Sequence, residues 1–501
     1  MAVTYTYYAQ GRKITVGTGA PAHSAVAGDN YTDLTSGLQY TYTTSWVSLG
    51  VGSSTVSNSS SSLAYGSSIT ATSPSAIKGI TAQYVDSNGV AIDATQQMAF
   101  GIRNVQAITT FTADAIRAIE LYATDSIKTC KLANGNFAIL YRTVNTWKCQ
   151  LWDGTAYTQI GSTITLETSA PTATFHHGHI CALTGNRFCV MWSNSTGSNL
   201  LKYAIYDNTC TVYLAATQIA AVNGGYHACC ETLEGHIIFA YSATYSQYTI
   251  WNITGTVVEA ATQLAATGSG RGNSVAQLSN GYIVFVNEGA TNIGRYAILD
   301  TSTNASTVKV TYTEALDNLS GTGTSTDVWA LPNKNFAIIS NDETSTNSNM
   351  VVVYQYVSNT SWISSQTRQP FVQYSANVYP SWSAGDLGQG LIMAGYPSVI
   401  INGGYMPMAS IMEGENAKNI NYGQQSSYIP YANKLATNSA VRAIFLDNKK
   451  MAFFWKDATD SSKGKFIIVQ IEHFKISVSG LVVTLANYTG STQNVLLTVQ
   501  Y

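Results

Sequence analysis

Residues 132–141 read LANGNFAILY, and variants of that phrase return down the chain: LTGNRFCVMW (183–192), LEGHIIFAYS (233–242), LSNGYIVFVN (278–287), LPNKNFAIIS (331–340), LGQGLIMAGY (387–396) and LDNKKMAFFW (446–455). Aligned on Gly135, Gly185, Gly235, Gly281, Lys334, Gly390 and Lys449, the copies stand 50, 50, 46, 53, 56 and 59 residues apart. Each holds an Asn-Gly-type turn, at which the chain takes a positive φ and returns as a hairpin. The nearly continuous apolar run that follows reads as a strand covered on both faces. A short strand enters the turn (IKTCKL, SVAQL). A third strand follows and often ends in an aromatic residue and Asp or Asn (KCQLWD, LKYAIYD, YTIWN, RYAILD), and a more polar fourth closes the copy.

Four antiparallel strands per repeat, with the middle pair most apolar, is how a propeller blade buries its faces against its neighbours. A solenoid would have shorter coils, and a sandwich would not keep this period. The chain resembles β-propeller repeats over about 360 residues, without the WD, kelch or Asp-box signatures. The expected fold is all-β: a β-propeller of about seven four-stranded blades over residues 111–475, six or eight remaining open, plus a small β domain formed by the N- and C-terminal regions. Pro407, in the weakest copy, is expected to break that blade's third strand or confine it to an edge.

The ends differ in texture. Residues 1–110 form an N-terminal β region expected to serve for docking. Within it, SLGVGSSTVSNSSSSLAYGSS (48–68) reads as a loop or flexible link. KGITAQYVDSNGVAI (78–92) resembles the aromatic-Asp ending of a third strand and is the candidate for a strand borrowed to close the ring. TADAIRAIELYA (112–123) reads equally as a helical turn or a strand. Residues 476–501 read as strands packing with the N-terminal region.

Composition agrees with β structure. Apolar residues make up 45%, enough for a core, while charged residues are only 10% against roughly a quarter in ordinary domains. Ser, Thr, Asn, Gly and 32 tyrosines supply the polarity, and Tyr and Thr suit half-buried pleated surfaces. A net charge of −2 without a Lys/Arg block argues against nucleic-acid binding. No apolar run is long enough for a membrane-spanning helix, and the first residues lack the pattern of a secretory signal. Seven cysteines fall between positions 130 and 230, several inside expected strands. They read as small buried hydrophobes rather than disulfides or metal ligands, which implies folding in a reducing cytoplasm.

Candidate site residues are sparse. His176, His177 and His179 in FHHGHI, and His227 in GGYHACC, precede a repeat's first strand by similar offsets. His-x-His on a strand is a zinc-ligand pattern, but the reading adopted is of strand-start histidines bonded to neighbouring loops, with no metal and no cofactor. Equivalent positions elsewhere hold Asp125, Arg271, Asp327, Trp382 and Arg442. His177, His179, His227, Arg271, Asp327, Trp382 and Arg442 would then ring one mouth of the central channel, where carboxylates, guanidiniums and aromatics are suited to a glycan. None of the nucleophile-elbow, zinc-protease, P-loop or dinucleotide signatures occurs, so no enzyme is expected.

Short strands rich in Ser, Thr and Tyr, with little charge, resemble in texture the surface proteins of tailed-bacteriophage virions, of the tail-fibre, receptor-binding or head-fibre and decoration type. That resemblance implies a non-enzymatic structural or attachment protein, folded in the host cytoplasm and located in the virion. Its terminal β regions would contact other virion proteins, and its propeller a host glycan or receptor, as an oligomer in an assembly without membrane insertion. The alternative is a carbohydrate-binding, lectin-like or glycan-active propeller.

Overall fold

In a computed structural model, the described residues comprise forty-two strands between Tyr5 and Gln500 and, within 127–364, most of the turns joining them. The chain divides into two compact units, one of residues 111–421 and 425–471, the other of 1–110, 422–424 and 472–501.

The first unit is a β-propeller. Blade 1 runs from Ile127–Lys131 through Phe137–Thr143 and Thr146–Trp152 to Gln159–Glu167, strands hydrogen-bonded in chain order. Blades 2, 3 and 4 repeat that order, opening at His179–Leu183, His227–Glu231 and Arg271–Gln277. Blade 5 opens at Thr326–Ala330 and blade 6 at Ser383–Asp386, and each carries an extra short strand beside its third. In blade 7, Arg442–Asp447, Lys450–Lys456 and the beginning of Lys463–Ser479 form three strands. The fourth comes from the other end of the chain: Arg117–Leu121 lies antiparallel along that third strand, with Arg117 opposite Phe466 and Leu121 opposite Lys463.

Burial explains why the copies stack. The second strands of blades 1 and 3 are buried on both faces almost throughout. The fourth strands of blades 1 and 2 alternate between half-buried and exposed. A sheet apolar on both faces cannot stand alone in water, so each blade must be covered on both sides. First strands lie side by side through blades 1 to 5, and that of blade 7 lies between those of blades 6 and 1. The seam between blades 7 and 1 is a core of Ile119, Phe137, Tyr141, Trp152, Phe454 and Phe466. Phe466 meets the edge of Trp152 at 4.8 Å between ring centres and that of Phe137 at 5.9 Å, the arrangement aromatic quadrupoles favour.

Two turns recur. In the first, Gly135, Gly235 and Gly281 take φ of 91°, 76° and 83°, and Lys334 holds the same left-handed place at 64°; in blade 2 that place falls to Asn186, at 56°, with Gly185 before it at 79°. In the second, Oδ1 of Asp207 accepts backbone N–H groups from Thr209 and Thr211, and Oδ1 of Asn252 accepts those of Thr254 and Thr256. Side-chain mimicry of a backbone turn explains the Asp or Asn that ends the third strands of blades 1 to 4.

The second unit contains a five-stranded sheet built from residues 5–48 and a four-stranded one in which Gln493–Gln500 lies between Val56–Leu63 and Gly79–Tyr84. Val482–Asn487 also pairs with Ser68–Thr72. Alternation at period two buries Ile69 and Ala71 on one side, and Val483, Leu485, Val495, Leu497 and Val499 complete the core.

Three expectations are corrected. The closing strand is Arg117–Leu121, within the segment left open between helix and strand, while Gly79–Tyr84 pairs with Gln493–Gln500. Part of the Ser-rich stretch is a strand, since Val56–Leu63 pairs along its whole length with the apolar Gln493–Gln500. The partner supplies the hydrophobic content that the serines lack. Pro407 begins the third strand of blade 6, opposite Pro397, and that strand has partners on both sides. At a first position the missing N–H removes little from the ladder.

Two glycine replacements separate conformation from space. A Cβ at Gly235 would meet nothing within 4 Å, whereas one at Gly154 would lie 1.9 Å from the carbonyl oxygen of Gly135. In urea unfolding, Gly235→Ala should cost about 1–2 kcal/mol for its left-handed backbone. Gly154→Ala should cost about 1–3 kcal/mol more, because two turns must separate. Ile119→Ala, at the closing seam, should cost about 2–4 kcal/mol by the same measurement.

Candidate functional site: the first strands of the blades

The expected channel-mouth residues divide sharply. His177 and Trp382, with Asp125, lie outside the described residues. Arg271 and Arg442 begin the first strands of blades 4 and 7, and their side chains also lie outside the described set. His179 and His227 begin the first strands of blades 2 and 3, but the expected equivalence fails by one place: His179, opposite Met191, corresponds to Ala228, and His227, opposite Tyr241, to Gly178. Asp327 is second in the first strand of blade 5.

Of the three with described side chains, His179 and Asp327 serve joints between blades. Nδ1 of His179 accepts the backbone N–H of Cys229 at 3.2 Å, joining blade 2 to blade 3. Below it, the Glu231 carboxylate accepts Thr184 through both its N–H and its hydroxyl, at 2.8–2.9 Å. Asp327 accepts the hydroxyl of Ser274 from blade 4, and the Val328 N–H donates to both Ser274 Oγ and Asp327 Oδ1. His227 is buried, at 3% exposure. The position that sequence alone suggests for a ligand thus holds strand-to-strand fasteners at His179 and Asp327.

Behind these residues the same two blades bring three cysteines together. Cys181 and Cys189 face each other across the hairpin of blade 2. Cys229, on blade 3, pairs with Phe239 one place before Cys230, the residue that corresponds to Cys181, and so turns its side chain back toward blade 2. All three Sγ atoms lie within 4.8 Å of one another and are buried. His179 Nδ1 stands 3.4 Å from the sulfur of Cys229. Hydrogen bonds from Cys189 and Cys229 hold the Cys181 thiol down to about 5, and burial pushes the Cys189 and Cys229 thiols well up. Across the chain all seven cysteines are free, five of them buried. Sequence reading took each cysteine singly. The available signal was that positions 181 and 189 are equidistant from the turn glycine at 185, which places them opposite in a hairpin.

No protein-family model matches the chain, and no curated protein matches it. Among solved structures, the BP39L lectin from Burkholderia pseudomallei is similar at 10% identity and a TM-score of 0.47, over 74% of this chain and 99% of that one. Aleuria aurantia lectin, a six-bladed β-propeller, is similar at 14% identity and 0.39, over 62% and 96%. A Dyadobacter fermentans protein of unknown function gives 9% identity and 0.40, over 71% and 99%. Likenesses this distant say nothing about what this chain binds.

Asp327→Ala removes one acceptor from Ser274 and Val328. In urea unfolding it should cost about 1–3 kcal/mol, the range for stranding partly buried donors, while Asp327→Asn, which keeps an acceptor oxygen, should recover most of the loss.

Proposed function

We propose that this chain is a non-enzymatic attachment component of a phage virion, its propeller contacting a host receptor or surface glycan and its terminal β unit docking to other virion proteins. The observation that carries the reading is the repeated outer surface of the blades. Val212 and Val257 open the fourth strands of blades 2 and 3, and Val308 is second in that of blade 4, opposite equivalent residues Tyr206, Trp251 and Leu299. They are 55%, 47% and 56% exposed, and Tyr213 beside the first is 46% exposed. Hydroxyls and few charges surround them, as in VYLAATQIAA and TVKVTYTEAL. An exposed apolar position repeated in three successive blades, 2 to 4, suits a ligand that itself repeats, because several weak contacts on one rigid body combine.

Charge content also supports this assignment. A net charge of −2 offers no electrostatic attraction to nucleic acid, and no described helix is long and apolar enough to cross a membrane. Free thiols on adjoining strands fit folding in a reducing cytoplasm before release with the particle. A lectin-like role without a virion would use the same outer surface, so the two readings part over where the protein is found.

Mass spectrometry of purified parent particles should detect the chain at fixed stoichiometry, and free protein should compete with particles for adsorption to host cells. Tyr213→Ala should weaken that competition by about tenfold, as for an aromatic anchor at a contact. Absence from the particles would overturn the virion reading, and binding to a glycan array by such a particle-free protein would favour the lectin-like one.

A further inference from the structure

We propose that Cys181, Cys189 and Cys229 form a buried binding site for a thiophilic d10 cation of the zinc class, with the His179 imidazole as the neighbouring nitrogen donor. Three sulfurs around one such ion, each at about 2.3 Å, stand about 3.8–4.0 Å apart. The three Sγ atoms here lie within 4.8 Å of one another without any rearrangement of the strands. His179 Nδ1, 3.4 Å from the Cys229 sulfur, is at the separation expected of two ligands sharing a centre.

At the place of the Cys181–Cys189 pair the other blades hold Cys130–Ala138, Cys230–Ile238, Ala276–Val284 and Trp329–Ala337. Cys229, paired with Phe239, stands where other blades hold Thr129–Ile139, Val275–Phe285 and Val328–Ile338. Cysteine thus recurs at the Cys181 place, while Cys189 and Cys229 replace alanine, threonine or branched aliphatic residues. The three converge across the seam between blades 2 and 3, beside the histidine that begins the same strand as Cys181. Leu183, Met191, Tyr203 and Phe239 complete an apolar shell around the sulfurs. Within such a shell an ion carrying two positive charges offsets most of the charge of three thiolates, leaving a net single negative charge.

Binding forms three metal–sulfur bonds and releases the protons of whichever thiols are still protonated, so it weakens as pH falls. The His179 nitrogen already accepts the Cys229 N–H, and entering the coordination sphere would exchange that hydrogen bond for a metal bond. His179 Nδ1 lies near the Cys229 sulfur but outside the set of three within 4.8 Å of one another, so the imidazole must turn toward the ion to complete three sulfurs and one nitrogen, the pattern of structural rather than catalytic sites. On this account the ion fastens blade 2 to blade 3.

The full reduced chain should be titrated with Cd²⁺ under anaerobic conditions, reading the ultraviolet thiolate-to-metal charge-transfer band. The expected result is one equivalent bound with an intensity for three thiolates, and a cadmium NMR shift in the range of three sulfur ligands on the wild-type protein. Cys189→Ser and Cys229→Ser should each weaken binding by more than the ~10–100-fold typical of outer-shell losses, whereas Cys230→Ser should leave it unchanged. No stoichiometric band on the folded wild-type chain, or a cadmium shift reporting one sulfur or none, would overturn the proposal, whatever the variants do. So would a band that survives in Cys189→Ser and Cys229→Ser.

Discussion

The structure depends on one constraint: the second strand of a blade is apolar on both faces. Phe137 to Arg142 and Ile237 to Ser242 have no solvent side, so no blade can be stable alone or at the end of an open row. Each must be covered twice, and a row of such sheets satisfies every member only by closing on itself. The closing seam is where the chain solves this. Arg117–Leu121, more than 300 residues from its partner in sequence, completes blade 7 before the chain enters blade 1. Residues from both sides of that seam then share one core through Ile119, Phe137, Phe454 and Phe466.

Much follows from that arrangement. With the middle strands committed to packing, polar side chains on the first strands are free to join neighbouring blades, as His179, Glu231, Ser274 and Asp327 do. The fourth strands have one covered side and one wet side, so they carry the variable surface. Two further fasteners lie outward, where Lys202 pairs with Glu167 at 2.9 Å and Glu259 accepts Ser306 through its N–H and hydroxyl. The thiol cluster occupies the same kind of joint. Structure and proposed ligand chemistry thus share a location: the seam between adjacent blades.

Legibility in the sequence tracked how local each interaction is. The hairpin turns were readable because Gly235 and its equivalents must take a positive φ, a requirement written into residue identity. Lys334 was placed by spacing alone, and its φ of 64° agrees. The Asp or Asn that often ends a third strand was visible as a pattern, though its cause, the Asx turn, required coordinates. Non-local pairing was hidden. A Ser-rich stretch becomes a strand because Gln493–Gln500 pairs with it, and the closing strand was indistinguishable from a helical turn in isolation. His179 and His227 do begin strands, though one register place apart, and His176 and His177 lie outside the described residues. The contact of His179 with Cys229 depends on how two blades pack, which no single repeat encodes.

The account's central claim is that residues 117–121 are an integral strand of the ring, and native-state hydrogen exchange on the full chain tests it most directly. Backbone amides of Arg117–Leu121 that pair with Lys463–Ser479 should be protected to the same degree as those of blade 1's second strand, because both open only when the ring opens. Exchange of those amides at the rate of the exposed turns near Gly135 and Gly235, while blade interiors stay protected, would contradict a ring closed by this strand.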